Sequence, residues 1–102
     1  MNIGCDIVEN KRLENKSDRF VSKVLTEKEI ALYKSEGLEF LTGRFAAKEA
    51  IMKCLDNTKE INPLDIEVLK NKDGSPSCNI KNVKVTISHE KDYTIAFAIK
   101  LK

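Results

Sequence analysis

The run from Phe40 to Leu55 most constrains what this chain can fold into, because it reads as one helix with an unusual placement of charge. Wound at about 100° per residue, it gathers Phe40, Leu41, Phe45, Ala47, Ile51, Met52, Cys54 and Leu55 on one broad arc. Arg44 and Lys48, four residues apart, fall inside that arc, while Thr42, Glu49 and Lys53 form a narrow polar strip beside it. A surface helix keeps its cations opposite the apolar stripe, since stripping water from a charge costs far more than burying a methylene gains. Two cations within the arc therefore need a partner, and an anionic ligand would supply one. Ordinary alternatives stand beside this. Arg and Lys lay aliphatic stems along apolar surface with the charge in water. Glu49 and Lys53 make an i, i+4 pair of the kind that supports many helices.

The whole chain bounds the reading further. With 102 residues, one domain spanning 1–102 is expected, burying roughly two thirds of the surface its unfolded chain would expose. Hydrophobic residues at 41% and charged residues at 33% exclude a disordered chain. No apolar run approaches the ~20 residues that cross a bilayer, and no basic, then apolar, leader opens the sequence. A cytoplasmic protein without membrane contact is expected. Cys5, Cys54 and Cys78 are odd in number, form no CxxC pair and stand among apolar neighbours, which predicts small buried hydrophobes rather than zinc ligands or disulfides. A net charge of +2, no Trp and no aromatics interleaved with the cations argue against nucleic acid as a partner.

Residues 2–8 alternate, with Ile3, Cys5 and Ile7 on one face of a strand and Gly4, Asp6 and Val8 on the other. Asp6 is thereby expected on the face away from Ile3 and Ile7, free of the core. From about Lys11 to Leu25 the period turns helical, stacking Arg12, Lys16, Arg19 and Lys23 on one side. Thr26-Glu27-Lys28-Glu29 is a capping-box pattern opening a second helix to about Lys34, and Ser35-Glu36-Gly37 ends it. A loop is expected over Asn57–Pro63, a strand over Ile66–Leu69, a turn over Lys72–Pro76 and a strand over Ser77–Ile80. Val83, Val85 and Ile87 alternate, and after the turn around Glu90-Lys91-Asp92 so do Tyr93, Ile95, Phe97, Ile99 and Leu101, which predicts a closing hairpin. Helices in the first half and strands in the second indicate an α+β fold with a small, largely antiparallel sheet.

Three islands stand out: Gly4-Cys5-Asp6-Ile7-Val8-Glu9, Gly43–Ala50 with Lys53, and Ile87-Ser88-His89-Glu90. As G-x-D-I-V-E, then L-x-G-R-F-A-A-K-E-A-x-x-K, then I-S-H-x-x-x-Y, in that order over most of the length, the chain resembles the holo-acyl-carrier-protein synthases, the small 4′-phosphopantetheinyl transferase family. The resemblance implies transfer of phosphopantetheine from coenzyme A to a serine of apo acyl carrier protein, leaving adenosine 3′,5′-bisphosphate, in fatty-acid synthesis. It implies Asp6 and Glu49 as Mg²⁺ carboxylates, which suits an ion that takes one or two carboxylates plus substrate phosphates and water.

By the same resemblance Arg44, Lys48, Lys53, Ser88 and His89 hold the coenzyme, with Lys53 on the leaving group and Glu49 a plausible base for the serine proton. Arg12, and less closely Lys16 and Arg19, match the basic first helix on which the acidic carrier docks. The family's homotrimer, with coenzyme between neighbouring subunits, carries over too. Two departures accompany it: only Asn79 to Asn82 stand where the family has a late helix, and Ser35–Glu39, in place of a basic loop, holds no cation. Two rival readings are a carrier-binding module without catalysis, which would have no need of Asp6 with Glu49 and Lys53, and a basic nucleic-acid-binding α+β domain.

Overall fold

The N-terminal alternation becomes β1 (Asn2–Glu9), an outer strand of a three-stranded antiparallel sheet ordered β1-β5-β4. The computed structural model describes residues 1–55 and 61–102. Along it follow a 3₁₀ turn (Asn10–Leu13), α1 (Asp18–Val24), α2 (Glu27–Glu36), α3 (Leu38–Cys54), a second 3₁₀ turn (Pro63–Asp65), β2 (Val68–Lys70), β3 (Pro76–Cys78), β4 (Val83–His89) and β5 (Tyr93–Lys100). β2 and β3 pair as a separate antiparallel hairpin. The α+β class is as the sequence predicts, and residues 79–82 join β3 to β4 without a helix. Of the loop expected over Asn57–Pro63, residues 57–60 lie outside the described residues.

Two local expectations are corrected. The single helix over Lys11–Leu25 is instead a 3₁₀ turn and the short α1. Asn15 takes φ 57°, a conformation that Asn tolerates and a continuing helix does not. Ser17 then caps α1 by accepting from the Phe20 amide. Arg12, Lys16 and Arg19 consequently sit on three different pieces of backbone rather than one stripe. The second correction concerns β1. Ile3 and Ile7 are each 61% exposed and Cys5 is exposed, whereas Gly4 and Val8 are buried and Asp6 is half-buried.

The reason lies in what α3 packs upon. α3 crosses the sheet with Ala46, Ala47, Ala50 and Ile51 fully buried, and the sheet meets it with its small residues, Gly4, Ala96 and Ala98. Small residues let strand and helix backbones approach closely. A Cβ on Gly4 would overlap the Ala50 carbonyl oxygen and lie 2.9 Å from the Cys54 amide nitrogen. Gly4→Ala should therefore lower stability by about 2–3 kcal/mol, seen as an earlier urea midpoint; an unchanged midpoint would refute this close approach.

α2 forms where the capping box predicts, with Thr26 and Glu29 exchanging backbone and side-chain bonds. Gly37, at φ 82°, ends α2 and starts α3 in one left-handed residue. α3 is buried nearly all round, and its most exposed residue from Phe40 onwards is Lys53.

Candidate active site

Asp6 and Glu49 come from the two elements that Gly4 brings together. Asp6 lies on the α3-facing side of β1, opposite Ala96, and Glu49 is half-buried on α3. Both carboxylates line one cleft of about 360 Å³, with Arg12 and Lys16 along it and Phe20 and Phe45 as apolar wall. Lys53, one turn beyond Glu49, reaches back to β1. Its Nζ donates to the Cys5 carbonyl at 2.9 Å and to Asp6 Oδ1 at 3.3 Å. More than half of that lysine side chain stays exposed, so the pair is a modest surface contact that a stronger anion can displace.

Lys48, expected to hold coenzyme phosphates, is placed otherwise. It is 1% exposed, and its three N–H donors go to the Val24 carbonyl at 2.6 Å, Glu29 Oε1 at 2.6 Å and the Pro63 carbonyl at 3.0 Å. Burial pushes the ammonium below the ordinary lysine value, while the hydrogen bond and charge of Glu29 oppose that shift. Glu29 also accepts from the Thr26 and Val68 amides at 2.8 and 2.7 Å. The partner of this buried cation is thus a carboxylate of the chain itself, and Lys48 ties α3 to the end of α1, the start of α2 and the second 3₁₀ turn, while Glu29 carries the tie on to β2.

Arg44 is half of a similar arrangement. Its Nε and Nη2 donate to the Val68 and Leu69 carbonyls at 2.9 and 3.0 Å, and the guanidinium stacks 4.2 Å from the centre of the Phe40 ring. Burial lowers its pKa, and the charges of Glu29 and Glu36 work against that. Arg44 nevertheless lines a cleft of about 230 Å³ that also holds His89 and Lys70.

His89 ends β4 and faces α3, its Nδ1 3.0 Å from Thr94 Oγ1. Gly43 permits the approach: a Cβ there would stand 3.1 Å from His89 Cε1 and 3.3 Å from Nε2. Ser88 and His89 line a further cleft with Ile7, Tyr93 and Ile95, at the margin of the open sheet face. Gly43 and Glu49 are six residues apart on one helix, or about 9 Å. Within one chain the carboxylate cleft and the histidine clefts are thus neighbours, not one cavity. Sequence reasoning missed Thr94, Thr42 and Asn10, which stand behind His89. The available signal was Thr94 itself, a hydroxyl in register with Ala96 and Ala98.

Among the described residues no group of three or more His, Cys, Asp or Glu is arranged as a metal cage. Two carboxylates on an open cleft fit Mg²⁺, which keeps waters and takes substrate phosphates, and do not fit structural zinc. Cys54 is buried and Cys78 half-buried, as expected of small hydrophobes, but Cys5 is exposed on the open sheet face. Among the described residues no helix is long and apolar enough to cross a membrane.

A carboxylate pair and cations around an open cleft, on this α+β frame, suit an enzyme that works on phosphate groups. The chain matches the family model of the 4′-phosphopantetheinyl transferase superfamily over residues 2–98 and belongs to that family. It is 44% identical over 103 residues to the holo-[acyl-carrier-protein] synthase of Mycoplasma mycoides subsp. mycoides, covering 97% of this chain and 93% of that protein. The holo-(acyl-carrier-protein) synthase of Bacillus anthracis, solved in complex with CoA (3′,5′-ADP), superposes with TM-score 0.86 at 38% identity, covering 95% of this chain and 92% of that one. The Helicobacter pylori holo-[acyl-carrier-protein] synthase in complex with coenzyme A superposes with TM-score 0.83 at 30% identity, covering 95% and 97%.

Proposed function

We propose that the chain, as a single catalytic domain, transfers the 4′-phosphopantetheine of coenzyme A to a serine hydroxyl of apo acyl carrier protein, in the cytoplasm and for fatty-acid synthesis. The serine Oγ–phosphorus bond forms, the pyrophosphate P–O bond breaks, and adenosine 3′,5′-bisphosphate leaves. The observation that carries this reading is the one cleft lined by Asp6 and Glu49, with Lys53 in contact with Asp6. Asp6 and Glu49 would hold Mg²⁺, which when bound supplies charge neutralisation at the pyrophosphate. Glu49 is positioned on the cleft to take the serine proton, directly or through a water. Lys53 is free to exchange Asp6 for the leaving bisphosphate. Arg44, Ser88 and His89 contact the coenzyme from the neighbouring clefts, and the ammonium of Lys48 has no part in it.

Several exposed apolar side chains support the homotrimer. Ile3, Ile7, Tyr93, Ile95 and Phe97 lie on the sheet face turned away from α3, a patch that monomers rarely leave uncovered. Ile7 borders both the carboxylate cleft and the Ser88–His89 cleft. Covering that face with a second copy would set one copy's cleft beside its neighbour's, which is how a site between subunits would arise.

Incubation with coenzyme A, Mg²⁺ and apo carrier protein should add one phosphopantetheinyl group to the carrier, read by mass spectrometry. No mass shift, where a known transferase gives one, sinks the proposal. Arg12 and Lys16 along the carboxylate cleft, with Arg19 exposed on α1, are the carrier-docking residues. Arg12→Glu should raise KM for carrier protein roughly tenfold through slower encounter, more so at low salt, with KM for coenzyme A little changed. Equal loss for both substrates would contradict the docking role.

A further inference from the structure

The geometry points to Thr94 as a positioning residue that keeps the proton of neutral His89 on Nδ1 and leaves Nε2 bare, so that His89 grips a phosphate only as imidazolium. The inference rests on the transferase reading for its ligand, coenzyme A, but its first test does not.

Donor accounting leads there. Asn10 Nδ2 lies 3.2 Å from both the Glu90 and the Lys91 carbonyl oxygens. Carbonyls only accept, so the amide nitrogen must face them and Oδ1 must face the opposite way, where Thr94 Oγ1 lies at 2.7 Å. Oδ1 also only accepts, so it takes the single hydroxyl proton of Thr94. Thr94 can then only accept. Its neighbour Thr42 has one proton, which either the Glu39 carbonyl at 3.2 Å or Thr94 at 3.1 Å takes, so His89 Nδ1 at 3.0 Å is the donor left to Thr94 whichever way Thr42 turns. A bare Nδ1 there would set lone pair against lone pair beside a fully buried hydroxyl. Neutral His89 consequently carries N–H at Nδ1 and a lone pair at Nε2. A lone pair repels phosphate, whereas the imidazolium donates to it from Nε2.

Charges of both signs surround the ring: Glu36 of α2, Glu39 and Arg44 of α3, Lys70 of β2, and Glu90 and Lys91 of the closing turn. Glu14, after the first 3₁₀ turn, completes the rim. None of them is altered in the variants below, so a difference between variants reports the tautomer.

His89 is the only histidine, so the ¹⁵N spectrum of histidine-labelled protein shows one ring. At alkaline pH the proton is expected on Nδ1; a proton on Nε2 overturns the proposal. Thr94→Ser should keep Nδ1–H, and Thr94→Val should move the proton to Nε2. Where Thr94→Val fails to fold, Asn10→Ala serves, since it frees the Thr94 proton to donate to Nδ1. An unmoved proton in the folded variants counts against the relay.

Calorimetry of coenzyme A with Mg²⁺ is the second readout. Between a pH at which the spectrum shows the ring charged and one at which it shows the ring neutral, wild-type affinity should fall roughly tenfold more than that of Thr94→Val, the loss of one charge-assisted donor. Parallel pH profiles overturn the phosphate-gripping role. Coenzyme that binds at no pH refutes the transferase reading and that role together, and leaves the spectrum to decide the tautomer.

Discussion

Asp6→Ala and Glu49→Ala are each expected to lower Mg²⁺-dependent phosphopantetheine transfer by about 10³-fold, with the fold intact. The size follows from the chemistry. Phosphoryl transfer is governed by positioning and by charge placed against the reacting phosphate, and one such group is worth roughly 10²–10³ in rate. With no third carboxylate, Cys or His grouped there among the described residues, loss of either leaves a single ligand for Mg²⁺. Neither residue belongs to the packed core: Asp6 meets Lys53 at 3.3 Å and Glu49 borders open cleft. Thermal midpoints should thus move little while kcat collapses, and excess Mg²⁺ should restore part of the loss in Asp6→Ala. Near-normal turnover in either variant removes that residue from the metal site.

Lys48→Met should destabilise the protein by about 3–5 kcal/mol, because it strands Glu29 as a buried, unpaired carboxylate. The pair is fully enclosed, at 2.6 Å and 2% or less side-chain exposure on each partner, so solvent screens little of the loss. The urea midpoint should fall without a change in slope. Protein that remains folded, in dilute denaturant-free buffer at low temperature, should bind coenzyme A nearly as wild type does. A large loss of coenzyme affinity in folded Lys48→Met would return Lys48 to the phosphates and overturn its assignment as an internal tie.

These two outcomes separate residues that share one motif and nearly one helical turn. Lys48 and Glu49 are adjacent, and their sequence neighbourhood treats both as chemistry. Local pattern was sufficient for α2, whose capping box needs only residues three apart, and for the β4–β5 hairpin, whose alternation and turn are contiguous. It was insufficient for Lys48, because the counterion stands 19 residues away on another helix. Glu29 was legible as a cap but not as a countercharge: both roles use the same carboxylate, and only the cap is written in neighbouring residues.

The sheet face illustrates the same limit. Alternation in β1 sorts Ile3, Cys5 and Ile7 from Gly4, Asp6 and Val8, but period alone does not say which set meets the core. Hydrophobicity favours the isoleucines. The helix decides otherwise, because its backbone comes so close at Ala50 and Cys54 that only glycine fits at position 4.

By itself, the sequence determined the α+β class, the identity and order of most elements, and a helix whose apolar arc holds two cations in want of an anion. It also carried the family motifs that pick out Asp6, Glu49, Lys53 and His89. The tertiary structure alone decided which anion meets which cation. Glu29 answers Lys48, backbone carbonyls take much of Arg44, and Asp6 comes within reach of Lys53. Periodicity records which residues share a face, whereas the partner of a buried charge depends on packing between elements far apart in the chain.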